Sequence, residues 1–235
     1  MTQKIADRPE LMDKHTGRSP IHHLLEALGP QWGLAGCTPV ALHFGDPEAE
    51  AKAARTLGLC DASGPAKLGV RGEKAAEWLK DHGVEAPEEI YEVRSLGADG
   101  ILARIGSNEF LLEDGLKGES VVALSEQLRS TGEGPRSGIY RVERQEATLL
   151  LSGARVLELL AQVCGLDFSE MVDGRLSYTR FAGVSVGVML RPLAGLPVYR
   201  VWVDSTYAGY LWENLCQISA ELGGRVVGVG SLSSE

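Results

Sequence analysis

The stretch "GLCDASGPAKLGVRGEKAAEWL", residues 58–79, leaves a small apolar run, passes Asp61, Ser63 and a Gly-Pro turn, and enters a strand followed by a helix. "KLGVRG" (67–72) reads as a strand, and in "YRVWV" (199–203) Tyr199, Val201 and Val203 face one side while Arg200 and Trp202 face the other, which is the period of a strand. "EKAAEWLKDHG" (73–83) then has the spacing and the glycine stop of a short helix. Further along, "EEIYEVRSL" (88–96), "GILARIG" (100–106) and "NEFLLED" (108–114) read as strands joined by glycine turns, and "SVVALSEQLRSTG" (120–132) as a closing helix.

The same order then returns. "ATLLLSG" (147–153) is a strand, "ARVLELLAQVCG" (154–165) a helix, "LSYTRFA" (176–182), "VSVGVMLRP" (184–192) and "PVYRVWVD" (197–204) are strands, and "YAGYLWENLCQISAELG" (207–223) is a helix. In this last helix Leu211, Leu215, Ile218 and Leu222 form an apolar stripe. The seam "STGEGPRSG" (130–138) is rich in turn residues. The repeat predicts an α+β fold of two pseudo-symmetric β-α-β-β-β-α half-units, at about 60–132 and 138–235, each with helices on one face of a mostly antiparallel sheet.

Ahead of the repeat, "SPIHHLLEALG" (19–29) and "DPEAEAKAARTLGL" (46–59) carry helix signals: Ser19 and Asp46 as caps, Pro20 and Pro47 at the first helical positions, and Gly29 and Gly58 as stops. Residues 1–18 are polar, contain Pro9 and Gly17, and read as a flexible lead-in.

The 235 residues are 44% hydrophobic and 23% charged, the composition of a globular protein with a sizeable core. The 32 acidic against 23 basic residues, a formal charge of −9, argue against nucleic acid or an anionic membrane surface as a partner. Neither a secretory h-region nor an apolar run of about 18 residues is visible, so a cytoplasmic protein is expected. Cys37, Cys60, Cys164 and Cys216 are widely spaced and form no CxxC pair, and are expected to be reduced core or semi-buried thiols.

The residues show no strong catalytic signature. His22 and His23 are adjacent, so on a helix they point about 100° apart and do not converge easily on one ion; no metal is expected. His43, in "ALHFGDP", fits a packed histidine better than a base. Asp61 and Ser63 fit an Asx or Ser turn, or a ligand contact. Asp99, in "GADGIL", suits a hairpin turn. Tyr178, Phe181, Tyr199, Trp202, Tyr207, Tyr210 and Trp212 crowd the last quarter, as a pocket lining, a partner-facing patch or core.

The run from "SPIHHLLEALG" through "GCTPVALHFGDPEAEAKAARTLGLCDASGPAKLGVRGEKAAEWL" resembles the start of the glycine cleavage T-protein (aminomethyltransferase) family. "ADGILARIGSNEFLLEDG", "YLWENL" and "GVGS" continue the likeness. The resemblance implies that family's folate-binding domain over 19–235, with Asp99 at the position of its catalytic aspartate and Asp61, Ser63, Tyr199 and Arg200 as folate-binding candidates. Departures accompany it. "DASGP" stands where the family has DVSHM, and "RPLAGLPVYR" where it has RTGYTGEDGYE, which places Arg200 on the folate-holding glutamate and a donor where an acceptor is expected. "GVGSLS" replaces GLGARD.

"TLLLSGARVLELLAQVCGLD" and "RVWVDSTYAGYLWENL" resemble the short gamma subunit of heterotetrameric sarcosine oxidase, a relative of that domain. That resemblance implies a cofactor-free, non-catalytic accessory protein of one-carbon and methylated-amine metabolism, whose partners are oxidase or dehydrogenase subunits carrying FAD, FMN, NAD and folate. The alternatives are a tetrahydrofolate-dependent aminomethyltransferase or a folate-binding regulatory module.

Overall fold

The computed structural model describes residues 17–232 apart from 98, 133 and 194, so most of the lead-in expected at 1–18 lies outside the described residues. Helix α1 (His22–Glu26) follows Ser19, whose Oγ accepts the Ile21 N–H at 3.3 Å. A hairpin of β1 (Gln31–Ala35) and β2 (Thr38–His43), which the sequence reading leaves out, leads to α2 (Pro47–Leu57). Asp46 caps α2 by accepting the Glu48 N–H at 3.0 Å. Gly58 ends the helix not through a left-handed turn but in extended backbone, φ −117° and ψ 138°, running straight into β3 (Gly58–Asp61). A methyl there would stand 2.8 Å from Ser152 Oγ and 2.9 Å from Ala54 Cα, so close packing requires the glycine.

The repeat is present in both halves. The first runs β4 (Lys67–Arg71), α3 (Ala75–Asp81), β5 (Val93–Leu96), β6 (Gly100–Gly106), β7 (Glu109–Glu113), α4 (Ser120–Thr131). After β8 (Tyr140–Val142), the second runs β9 (Ala147–Ser152), α5 (Val156–Val163), β10 (Leu176–Phe181), β11 (Val184–Leu190), β12 (Val198–Val203), α6 (Ala208–Glu221), followed by β13 (Arg225–Val226). The strand expected over 88–96 shrinks to its last four residues, because 87–92 forms a loop clamped by side chains.

Sheet order matches between the halves: β5-β6-β7-β4-β8 and β10-β11-β12-β9-β3-β13. The strand preceding each half is exchanged. β3, just before the first half, pairs antiparallel with β9 of the second, Leu59 opposite Leu151 and Asp61 opposite Leu149. β8, just before the second half, pairs antiparallel with β4 of the first, Val70 opposite Arg141.

The chain accordingly divides into two compact units. One comprises the chain up to Gly64, Glu146–Asp173 and the chain from Ser177; the other comprises Pro65–Gln145 and Gly174–Leu176. In the first, Leu149, Leu151 and Val201 pack under Leu159 and Leu160 of α5 and Leu211 and Leu215 of α6. In the second, Leu68, Phe110 and Leu112 pack under Trp78 and Leu79 of α3 and Val121, Leu124 and Leu128 of α4. Fully burying each such side chain contributes about 1.5–3 kcal/mol.

One buried carboxylate ties the first unit together. Glu50 of α2 accepts the N–H groups of Phe44 (2.6 Å) and Gly45 (2.9 Å) on one oxygen and that of Gly228 (2.8 Å) on the other. It joins the end of β2, the start of α2 and the segment after β13. Glu50→Ala leaves three backbone donors without this acceptor and is expected to lower the unfolding free energy by about 3 kcal/mol. Urea denaturation reads this directly, and an unchanged midpoint would refute it.

Candidate functional site

Asp61 closes β3, and its Oδ1 accepts both the N–H (3.2 Å) and the hydroxyl (2.5 Å) of Ser63. Ser63 Oγ in turn accepts the Thr148 N–H at 2.9 Å. The pair therefore makes the local turn that its residue types suggest, and pins the end of β3 to β9.

Tyr199 and Arg200 sit side by side in β12, and successive strand residues face opposite ways. Tyr199 enters the helix-covered core, where its hydroxyl donates to the Phe168 carbonyl at 2.9 Å and its ring meets Phe168 edge-on. Burial raises the phenol pKa above its usual 10. Arg200 faces the other side of the sheet, 6% exposed, in register with Leu150 of β9 and Met189 of β11.

Asp99 belongs to the other unit, in the turn between β5 and β6. Its Oδ2 accepts the Leu116 N–H at 3.1 Å, while Oδ1 is buried with no hydrogen-bond partner among the described residues. Its carboxyl lies against Gly115, where any Cβ would collide with it. Nearby Asp114 is buried and accepts the Val121 N–H on both oxygens at 3.1 Å, placing a carboxylate at the start of α4. Desolvation is the largest influence on Asp114 and raises its pKa, with the Asp99 charge adding in the same direction. Asp61, Ser63, Tyr199 and Arg200 thus share one unit, and Asp99 stands in the other.

Several polar features escape the sequence reading. Lys67 and Glu113 are direct partners across β4 and β7, both buried, with Nζ 3.9 Å from Oε1. Their positions at strand ends look solvent-facing in the sequence, and only the register brings them together. The crowded aromatics separate: Phe181, Tyr199, Trp202 and Trp212 are buried, whereas Tyr178, Tyr207 and Tyr210 are about half exposed. Of the cysteines, Cys60 is buried and Cys164 and Cys216 are half-buried, but Cys37 is exposed in the β1–β2 turn rather than semi-buried. No three His, Cys, Asp or Glu side chains converge to hold a metal among the described residues, and no described helix is long and apolar enough to cross a membrane.

Clefts of about 480 Å³ and about 330 Å³ open beside His82, Arg94, Ser120 and Gln127 and beside Leu157, Cys164 and Leu166, and neither is lined by the five candidates.

No protein-family model matches the sequence, and no curated protein matches it. Among solved structures the chain superposes on aminomethyltransferase T of the glycine cleavage system from Bartonella henselae with a TM-score of 0.72 and 20% identity, over 92% of this chain. The chain has the T-protein fold. It spans 60% of the length of that aminomethyltransferase. It also superposes on a chain of heterotetrameric sarcosine oxidase from Corynebacterium sp. U-96, solved with pyrrole 2-carboxylate, with a TM-score of 0.62 and 17% identity, over 89% of this chain and 97% of that one.

His22 of α1 is buried, its ring stacked on Trp32 at 4.4 Å, with both ring nitrogens buried and without partners among the described residues. Burial, aided by the Arg18 charge, holds its pKa below the usual 6.5. Above that value the imidazole is neutral in both states and the full stability is present. As pH falls through it, the unfolded chain takes up a proton that the folded chain resists, and stability is lost. Melting temperature is expected to fall between pH 7.5 and 5.5, and His22→Phe to flatten that slope; an equally steep slope in the variant would refute the assignment.

Proposed function

We propose that the chain is an accessory protein of the sarcosine oxidase gamma or aminomethyltransferase-like type, acting in one-carbon and methylated-amine metabolism without carrying out the chemistry itself. The observation that carries this reading is Arg200. A guanidinium stays charged at any relevant pH and only donates hydrogen bonds. Here it is 6% exposed, at the position where the T-protein resemblance expects a folate-holding carboxylate. Tyr199, the neighbouring candidate, has its hydroxyl engaged by the Phe168 carbonyl. The superposition over 97% of one chain of heterotetrameric sarcosine oxidase supports the same reading. The partners proposed are oxidase or dehydrogenase subunits.

A second reading rests on Asp99. Its Oδ1 is buried and without a partner among the described residues, as a carboxylate awaiting a ligand donor is. On that reading the chain binds tetrahydrofolate, as a regulatory module or as an aminomethyltransferase with Asp99 as its catalytic carboxylate.

Calorimetric titration with tetrahydrofolate, with 5-formyl-tetrahydrofolate as a stable control, separates the two. The accessory reading expects no heat up to millimolar ligand; micromolar binding overturns it and warrants an aminomethyl-transfer assay. Arg200→Glu restores the acceptor, and in a degraded folate pocket one charge-assisted hydrogen bond is expected to strengthen binding by about 1.5–3 kcal/mol. Unchanged affinity in a variant that melts like the parent would show that Arg200 does not occupy a former folate position.

A further inference from the structure

Among the described residues, helix α1 is held to the first unit by its side chains. It is five residues long, far below the length at which a helix persists in water by itself, so it exists only through what it packs against. Its backbone bonds are local, from the N–H groups of Leu24 and Leu25 to the Ile21 carbonyl and from that of Leu28 to the Leu25 carbonyl. The β1–β2 hairpin that follows is a two-stranded sheet of its own, so no ladder between described strands ties 19–43 to the larger sheets. Ile21 and Leu25, both fully buried in the helix-covered core, seat the helix, with Leu24 packed beside them.

Between these anchors stands His22, 5% exposed and used as a flat apolar ring against Trp32. A phenylalanine would pack in the same way without burying two polar atoms that bond to no described residue. What the histidine adds is a proton-binding group inside the contact. Burial, the largest influence on it, opposes a proton, as do Arg18 and His23. Glu26 on the helix and Asp61 at the end of β3 favour one without reversing the balance, and Trp32 carries no charge.

We propose that α1 is an acid-released latch: neutral His22 seats the helix, and protonation of His22 unseats residues 19–29 while the β9 and β12 sheet remains folded. The seated helix resists the proton and the released one does not. In the released segment the imidazole returns to its ordinary value of 6.5, so the latch is closed above that value and loosens as pH falls through it. Between pH 7.5 and 5.5 the released form gains on the seated one by up to about tenfold. Release bares Ile21 and Leu25, so the chain presents an apolar surface in acid that it covers at neutral pH. The latch is independent of the accessory-subunit reading.

The test is amide hydrogen exchange of the full chain at pH 7.5 and 5.5, with each rate corrected for its intrinsic pH dependence. At both pH values the peptide 22–29 is expected to exchange at least about 100-fold faster than β9 and β12 and to respond weakly to urea, because it opens without the sheet. Its protection is expected to fall by about three- to tenfold at pH 5.5. His22→Phe, which keeps a ring over Trp32 and takes no proton, is expected to abolish that fall, and His22→Leu provides the same readout if the phenylalanine variant fails to fold. Three results each overturn the latch. One is protection of 22–29 that does not change with pH, and another is exchange of 22–29 in step with β9 and β12, which would make the opening global. The third is an acid response that persists in the folded variant, which would assign it to another group.

Discussion

The structure depends on a pair of exchanged strands. Each half of the sequence contributes a strand-helix-strand-strand-strand-helix unit, and each sheet is completed by the strand that precedes the other half. β3 donates and accepts along β9 through Gly58–Asp61, and β8 does so along β4 through Tyr140–Val142. Backbone pairs of this kind cannot form until residues about 90 positions apart in β3 and β9 meet, which makes the fold's contacts non-local and its closure cooperative. The exchange also explains why the chain divides discontinuously, with a boundary at Gly64 rather than at the turn-rich seam of 130–138.

Once the exchange is set, the pleat fixes which side chains each sheet presents. In the β3-β9-β12-β11 stack, Leu59, Leu151, Tyr199 and Leu190 are opposite one another and belong to or pack against the helix-covered core. Their neighbours Cys60, Leu150, Arg200 and Met189 line the reverse face and are buried as well. A slip of β12 by one residue against β9 and β11 would send Arg200 into the aliphatic core and Tyr199 out of it. The register, more than any local preference, therefore decides the surroundings of Arg200. The equivalent stack of the other unit does the same for Lys67 and Glu113, two charges that alternation alone would assign to solvent.

Much of the fold is legible because it is written in local signals. The period of two in "YRVWV", the Asp46-Pro47 start of α2 and the stripe through α6 each act within a few residues of the chain. What remains hidden is long-range. β3 and β8 are four and three residues long and become strands only because a distant edge receives them. The β1–β2 hairpin interrupts its alternation with Gly33 and Pro39, and 87–92 looks like strand until Arg104 and Glu92 fold it into a loop. The candidate site divides in the same way: the Asp61–Ser63 turn is visible in the residue types, whereas the unit to which Asp99 belongs follows from the topology.

Arg200 and Glu50 show how this scaffold treats buried charge. Glu50 gathers three backbone donors at the point where β2, α2 and the last described segment meet, so its charge is offset by fixed dipoles and serves the fold. Placing Arg200 in the middle of a sheet face carries a desolvation cost that an apolar residue there would avoid. Neighbouring positions on that face accept Leu150, Met189 and Trp202, so the pleat itself does not demand a cation. Both buried charges therefore owe their surroundings to pairing between distant segments: Arg200 to the register of β12 with β9 and β11, and Glu50 to the backbone donors that two separate parts of the chain bring to it.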